Sequence, residues 1–271
     1  MNVPPCITHE PASDYHAKAK DYLSSHRLGD FRRCPLLYFK KQEGLIHDHD
    51  SPAYIEGRAA HSLILEGRSV YEAEFVTDTQ APVNPRTGKP FGSTSDKYKE
   101  WADGQDKEVI TSEIATRVEV MNASVRSHAH ASRLLTTGVA EGVVRTPYLG
   151  IPCQIRMDWF NLNMNALADL KSTDDLAYFV HDSRSFGYPW QIAFYRAVLA
   201  TAMECSVTDI PCYLIAVEKK EPYRCGVWLI EPDVLAVCQA ENEQAMERLR
   251  ECRRSGIWPT GYENLRTMSV L

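Results

Sequence analysis

Residues 153–173, "CQIRMDWFNLNMNALADLKST", place Asp158, Asp169 and Lys171 inside two otherwise apolar runs. Strand side chains alternate faces, so Asp169 and Lys171 should project to one side while Leu170 points into the opposite layer. If "NLNMN" turns the chain, Asp158 on the preceding strand can approach that same face, in a register the sequence leaves open. Two carboxylates converging on one spot repel each other unless a cation or a proton lies between them. Hard oxygen ligands of this kind suit Mg2+ or Mn2+. A lysine beside such an ion can orient or deprotonate water while the ion stabilises negative charge on a phosphoryl oxygen.

An isolated Asp-x-Lys is ordinarily a solvated pair on an exposed strand face. The specificity here comes from the upstream aspartate, the turn between the runs and the helix that follows. That helix, "YPWQIAFYRAVLATAMEC", carries Gln191 and Tyr195 four residues apart and hence on one face, where they could equally be a buried tyrosine bonded to a glutamine. His61, in "GRAAHSLILEG", is a helical histidine that could be structural. Gly57, one turn earlier, would let a backbone or a ligand approach it. Glu141, expected to open the first strand, could orient a metal-bound water or stand exposed. Arg156, two residues before Asp158, is a candidate for support of the site.

The elements that must position these residues follow from periodicity. Helices are expected over 14–24, over 28–42 with Gly44 as a stop, and over 51–67, where Ser51 caps, Pro52 opens and Gly67 ends the helix. Residues 78–106, rich in Pro and Gly, read as a long excursion, and Ile110, Ile114, Val118, Met121 and Val125 mark a long helix to about Leu135. "EGVVRTPYL", "IPCQIRMDWF" and "ALADLKST" then read as an antiparallel meander. After a polar loop and the Gln191/Tyr195 helix, "PCYLIAVEKK" and "RCGVWLI" form a hairpin around Glu221-Pro222, before a helix over 231–254 stopped by Gly256. The pattern implies one α/β domain over 1–271: a mainly helical part over 1–135 with the loop 78–106, a core over 139–218, and a C-terminal hairpin strand and helix over 219–271.

Composition narrows the class. Hydrophobic residues at 44% and charged residues at 24% describe an ordinary soluble domain, and a net charge of -6 argues against a general polyanion-coating protein. A carboxylate site for cations is compatible with that charge, and basic side chains can still gather in one groove. No apolar run reaches membrane-spanning length, and "MNVPPCITHEPASDYH" lacks a basic start and an apolar signal core, so a cytoplasmic protein is expected. The eight cysteines are scattered without a Cys-x-x-Cys pair, so reduced, mostly buried thiols are expected rather than disulfides or a zinc ribbon.

The order "GRAAH", "RMD", "DLK", "QIAFY" resembles the PD-(D/E)xK nuclease superfamily, specifically its exodeoxyribonuclease VIII-like (RecE-type) branch, more distantly related to lambda exonuclease. "LSSHRLGDFRRCPLLYFKK" is similar to the opening of RecB-type nuclease domains. The resemblance implies a restriction-endonuclease-like αβββαβ core, a mixed sheet flanked by helices. It makes His61, Asp158 and Asp169 metal ligands together with the Leu170 carbonyl, and Lys171 the catalytic lysine. Gln191 and Tyr195 match the helix motif that supports the site and contacts DNA, and Ser25 and Arg27 fall where relatives contact a DNA end.

The implied function is Mg2+- or Mn2+-dependent exonuclease action on linear double-stranded DNA, 5′ to 3′, in phage-type recombination within a bacterial or phage-infected cell. A trimer or tetramer ring and a companion single-strand annealing protein come with it. Alternatives are a RecB-like nuclease module of a helicase or CRISPR adaptation system, or an inactive DNA-binding relative. Some RecB-type relatives hold an iron-sulfur cluster, but the dispersed cysteines here argue against one.

Overall fold

The structure, a computed structural model, describes residues 2–46 and 52–268, with the side chains of residues 52 and 53 outside that description. The N-terminal part forms α1 (Ala12–Ala17), a 3-10 turn over Lys18–Lys20, α2 (Ser25–Arg33) and α3 (Pro35–Gln42). The single helix expected over 28–42 is two helices, because Pro35 lacks an N–H and opens a new one. Cys34 between them is extended, and its Sγ accepts the Leu37 N–H. Ser24 caps α2 by accepting the Arg27 N–H. The helix expected over 14–24 is shorter, passing into the 3-10 turn that ends at Lys20.

Helix α4 (Pro52–His61) widens into a π turn over Ser62–Glu66, ends at Gly67 with φ 95°, and passes to α5 (Arg68–Glu74). The expected Ser51 cap lies outside the described residues. Strand β1 (Phe75–Thr77) leads into the Pro/Gly-rich excursion. This segment has short elements of its own, a hairpin of β2 (Val83–Asn84) with β3 (Lys89–Pro90) and helix α6 (Asp96–Asp103) capped by Ser95. Strand β4 (Glu108–Ile110) pairs with β1 in parallel, so the next helix begins at Ser112. The helix expected to run unbroken to Leu135 divides into α7 (Ser112–Ser127) and α8 (Ala129–Leu134). Between them His128 is extended and caps α8, its Nδ1 accepting the Ala131 N–H.

The central sheet is built from β5 (Gly138–Tyr148), β6 (Ile151–Asn161) and β7 (Ala166–Thr173), followed by α9 (Phe179–Ser185), α10 (Tyr188–Met203), β8 (Cys212–Glu218), β9 (Cys225–Leu229) and α11 (Pro232–Ser255). Strands lie in sequence order, with every neighbouring pair antiparallel except β7–β8. That one parallel pair needs a crossover, which α9 and α10 supply. The result is the αβββαβ core and mixed sheet expected from the sequence, with α9 standing where a polar loop was expected. α11 ends at Gly256 in the left-handed region (φ 73°).

Helices cover both faces of the sheet. Leu167, Leu214 and Ala216 join the core that contains Phe31 of α2, Phe194 and Val198 of α10, and Leu249 of α11. Ala168, Leu170, Ile215 and Val217 join the other core, with Ala59 of α4, Ile64 of the π turn, and Val118 and Met121 of α7. Each fully buried Val, Leu, Ile, Met or Phe among them contributes about 1.5–3 kcal/mol of transfer free energy, so both faces are held in place by burial. Strand β7 therefore lies between two dry layers and carries Asp169 into one of them.

Candidate active site

Ladder pairing between β6 and β7 joins Asn161 to Ala166, Phe160 to Leu167 and Trp159 to Ala168, and goes no further. Asp158 and Asp169 come next in that register, and there the strands part. The Asp158 carboxylate takes over the interrupted ladder, with Oδ2 accepting the Leu170 N–H at 2.8 Å. The asparagine-rich turn closes the hairpin: Asn161 Oδ1 accepts the Met164 N–H at 2.8 Å, and Asn165 adopts a left-handed φ of 50°.

Glu141 lies inside β5 rather than at its opening, since the strand starts at Gly138. The β5–β6 pairing holds at Ala140–Trp159 and Gly142–Met157 and skips Glu141, whose φ is +52°. A non-glycine residue in this region costs about 1–2 kcal/mol, a strain that clusters at functional sites. Its Oε2 pairs with Arg156 Nε at 2.9 Å, and its Oε1 lies 4.0 Å from His61 Nδ1.

His61 is the last residue of α4, immediately before the π turn. A carbonyl only accepts, so His61 Nε2 is the donor in its 2.7 Å bond to the Leu170 oxygen. The other nitrogen, Nδ1, points at the carboxylates and lies 3.7 Å from Asp158 Oδ2. A backbone bond that fixes the imidazole in this way commonly accompanies a metal-ligating histidine. At Gly57 a Cβ would meet nothing within 4 Å, so that surface of α4 is open.

Asp169 is fully buried. Its Oδ2 forms an ion pair with Lys171 Nζ at 2.6 Å, and its Oδ1 accepts from Gln191 Nε2 at 3.3 Å. The same amide donates to the Tyr195 phenol at 3.1 Å, and Ser25 at the start of α2 hydrogen-bonds that phenol as well. Ser25 thus reaches the site through Tyr195. Arg27 does not join the cluster: it donates to the Ala19 and Tyr22 carbonyls and lines a cleft of about 330 Å³ with His16, Lys20, His26 and Lys41. Tyr188, which sequence reasoning missed, has its ring centre 4.7 Å from Lys171 Nζ. Its position three residues before Gln191, one turn along the same helix, was the available signal.

The carboxylates of Glu141, Asp158 and Asp169 face His61, Arg156 and Lys171 across the site. Burial lowers the His61 imidazole, but the Asp158 and Glu141 carboxylates outweigh it and hold the group at about 9. Burial, and then the neighbouring Asp158, raise Asp169 above the usual carboxylate range against the pull of Lys171. Burial also disfavours charge on Lys171, yet Asp169 and Asp158 keep its ammonium form far past neutral pH.

One ligand atom each from His61, Glu141 and Asp158 lies within 4.8 Å of the others. An imidazole nitrogen and two carboxylates form a donor set that would suit a hard divalent cation. Asp169, beside them, is turned toward Lys171, and the Leu170 oxygen is shared with His61. The cysteines are free thiols, and the group just named contains none of them.

A mixed sheet that parts over two aspartates and a lysine, with helices on both faces, defines a protein of the PD-(D/E)xK fold. The chain belongs to the family described as PDDEXK-like domain of unknown function (DUF3799), whose family model matches residues 24–268. It is also similar to a crystal structure of a protein from Eubacterium rectale, provisionally described as an exonuclease. The TM-score is 0.66 and the identity 14%, with 97% of each chain covered. At that identity the likeness is one of fold. No curated protein matches the chain. Among the described residues no helix is long and apolar enough to cross a membrane.

Proposed function

We propose that the protein is a Mg2+-dependent deoxyribonuclease that acts as an exonuclease on linear double-stranded DNA, 5′ to 3′, with Mn2+ as a substitute ion. The observation that carries the nuclease reading is the convergence of His61 Nδ1, Glu141 and Asp158 beside the buried Asp169–Lys171 pair. Exonuclease action draws on the description of the Eubacterium rectale neighbour, and polarity on the resemblance to the RecE-type branch.

In this reading His61, Glu141 and Asp158 would hold the cation, with Asp169 beside them. A bound Mg2+ supplies charge stabilisation at the phosphoryl oxygen and a more acidic water. His61 is kept in orientation by the Leu170 carbonyl. Lys171 positions the attacking water and meets developing negative charge. Asp169 fixes the ammonium, Gln191 fixes Asp169, and Arg156 holds Glu141 toward the site.

The reading takes the chain as one nuclease domain of a cytoplasmic, phage-type recombination system. It assembles as a ring of three or four copies and works with a single-strand annealing protein. The test is incubation with linear and covalently closed circular duplex DNA, with Mg2+ and with chelator. Nucleotide release from linear DNA alone, abolished by chelator, is the expected result. Nicking of circles would replace the exonuclease reading with an endonuclease one, and no cleavage of either would refute nuclease function.

A further inference from the structure

Lys171, Tyr188 and Phe186 form a line leading out of the active site. The centre of the Tyr188 ring is 4.7 Å from Lys171 Nζ and 5.8 Å from the centre of the Phe186 ring, with the two rings inclined by 30°. Tyr188 is half-buried and backed by the buried Phe179 ring at 6.3 Å. Phe186, by contrast, is 70% exposed and belongs to neither core. It is held in place by the turn at Gly187, whose φ of 77° redirects the chain from α9 into α10. Tyr54 on α4 is 61% exposed. Arg184, also exposed, lies two residues before Phe186.

An exposed phenylalanine that fills no core contributes little to the fold. Beside it lies the Tyr188 ring, and Tyr188 in turn lies beside the ammonium that would sit against the scissile phosphate. Single-stranded nucleic acids are bound by this combination, in which cations follow the backbone and rings stack on the bases. A paired base inside a duplex presents only its edges, and a blunt end opens only the outer face of its terminal pair, so the base adjoining a phosphate held at Lys171 reaches such a ring by leaving its partner.

We infer that Phe186 and Tyr188 form a ledge on which an unpaired base stacks, the base of a nucleotide adjoining the phosphate at Lys171. This rests on the nuclease reading and sharpens its substrate to a strand end that is frayed or single-stranded at the site. A blunt duplex enters only once its terminal pair has opened.

The test measures binding apart from hydrolysis, by fluorescence anisotropy with Ca2+ in place of Mg2+, a hard cation that suits the same oxygen ligands. The probes are a duplex with a short unpaired end, the same duplex with abasic residues in that end, and a blunt duplex. Stacking of one base amounts to about 1–3 kcal/mol, so Phe186→Ala should weaken binding of the unpaired-end duplex roughly 5- to 150-fold. It should leave the abasic probe unaffected, and Phe186→Trp should restore binding.

Equal binding of all probes by wild type and Phe186→Ala would overturn the ledge, as would equal losses on normal and abasic ends. A Phe186→Ala variant that changes sedimentation but not DNA binding would show the ring to be a contact between proteins and would also overturn it. Base-dependent binding without any hydrolysis in Mg2+ or Mn2+ would leave the ledge standing and refute the nuclease reading.

Discussion

Replacing Gln191 separates positioning from chemistry. Its amide is the neutral donor on the buried Asp169, with Nε2 3.3 Å from Oδ1, and it also reaches the Tyr195 phenol at 3.1 Å. A hydrogen bond to a charged acceptor contributes about 1.5–3 kcal/mol, and the long distance places this one at the lower end. Gln191→Met, similar in volume, should therefore cost about 1.5–2 kcal/mol of stability, read as a shift of the urea midpoint. Gln191→Glu, nearly isosteric, sets a second carboxylate 3.3 Å from Asp169. At an effective dielectric constant of about 20, that repulsion is about 5 kcal/mol, part of which is relieved by proton uptake. The expected order of stability at pH 8 is wild type, then Met, then Glu. Loss of the amide also frees Asp169, and with it Lys171, so kcat on linear DNA should fall about 10- to 100-fold in Gln191→Met. The DNA KM should change less. Gln191→Glu as stable as wild type, or full activity in Gln191→Met, would refute this account of the helix.

Asp169→Asn and Lys171→Met should each reduce DNA hydrolysis by at least about 10³-fold in a gel assay while both proteins still unfold cooperatively in urea. Glu218 is buried, accepts from the Leu176 and Arg224 N–H groups, and is held at about 2 chiefly by the Arg224 guanidinium. A carboxyl lowered on folding stabilises fully above its unfolded value, and that contribution disappears as pH falls from about 4.5 toward 2. Glu218→Gln should thus cost about 1–3 kcal/mol at pH 7 and almost nothing near pH 2, measured by urea unfolding across that range. A Cβ at Gly138 would lie 2.5 Å from the Phe160 carbonyl oxygen, a backbone atom that cannot swing aside. Gly138→Ala should therefore destabilise by about 1–3 kcal/mol in the same assay.

The meander, the strand of the following hairpin and the helix bearing Gln191 were readable because period-2 and period-3.6 patterns coincide there with burial, whereas the mixed sheet followed from the family resemblance. The juxtaposition of Asp169 and Lys171 was readable for the same reason, since strand alternation fixes it. The breaks were not: Pro35 splits one expected helix and His128 another, where apolar spacing runs on undisturbed across both. Glu141 was misplaced within its strand because a left-handed backbone at a glutamate, which interrupts the ladder there, leaves no mark in the apolar alternation. The His61 contact with the Leu170 carbonyl joins residues 109 apart, a distance periodicity cannot bridge. Tyr188 was hidden by its own hydrophobicity: in an apolar helix a ring beneath a lysine has the same sequence pattern as a ring in the core.

The central claim is that His61, Glu141 and Asp158 hold a divalent cation beside Lys171. The most direct measurement is an anomalous-scattering map from crystals soaked in Mn2+. The account predicts a peak bonded to His61 Nδ1 and to carboxylate oxygens of Asp158 and Glu141, with Asp169 adjacent. A peak at another place in the molecule, or no peak at saturating Mn2+, would contradict it.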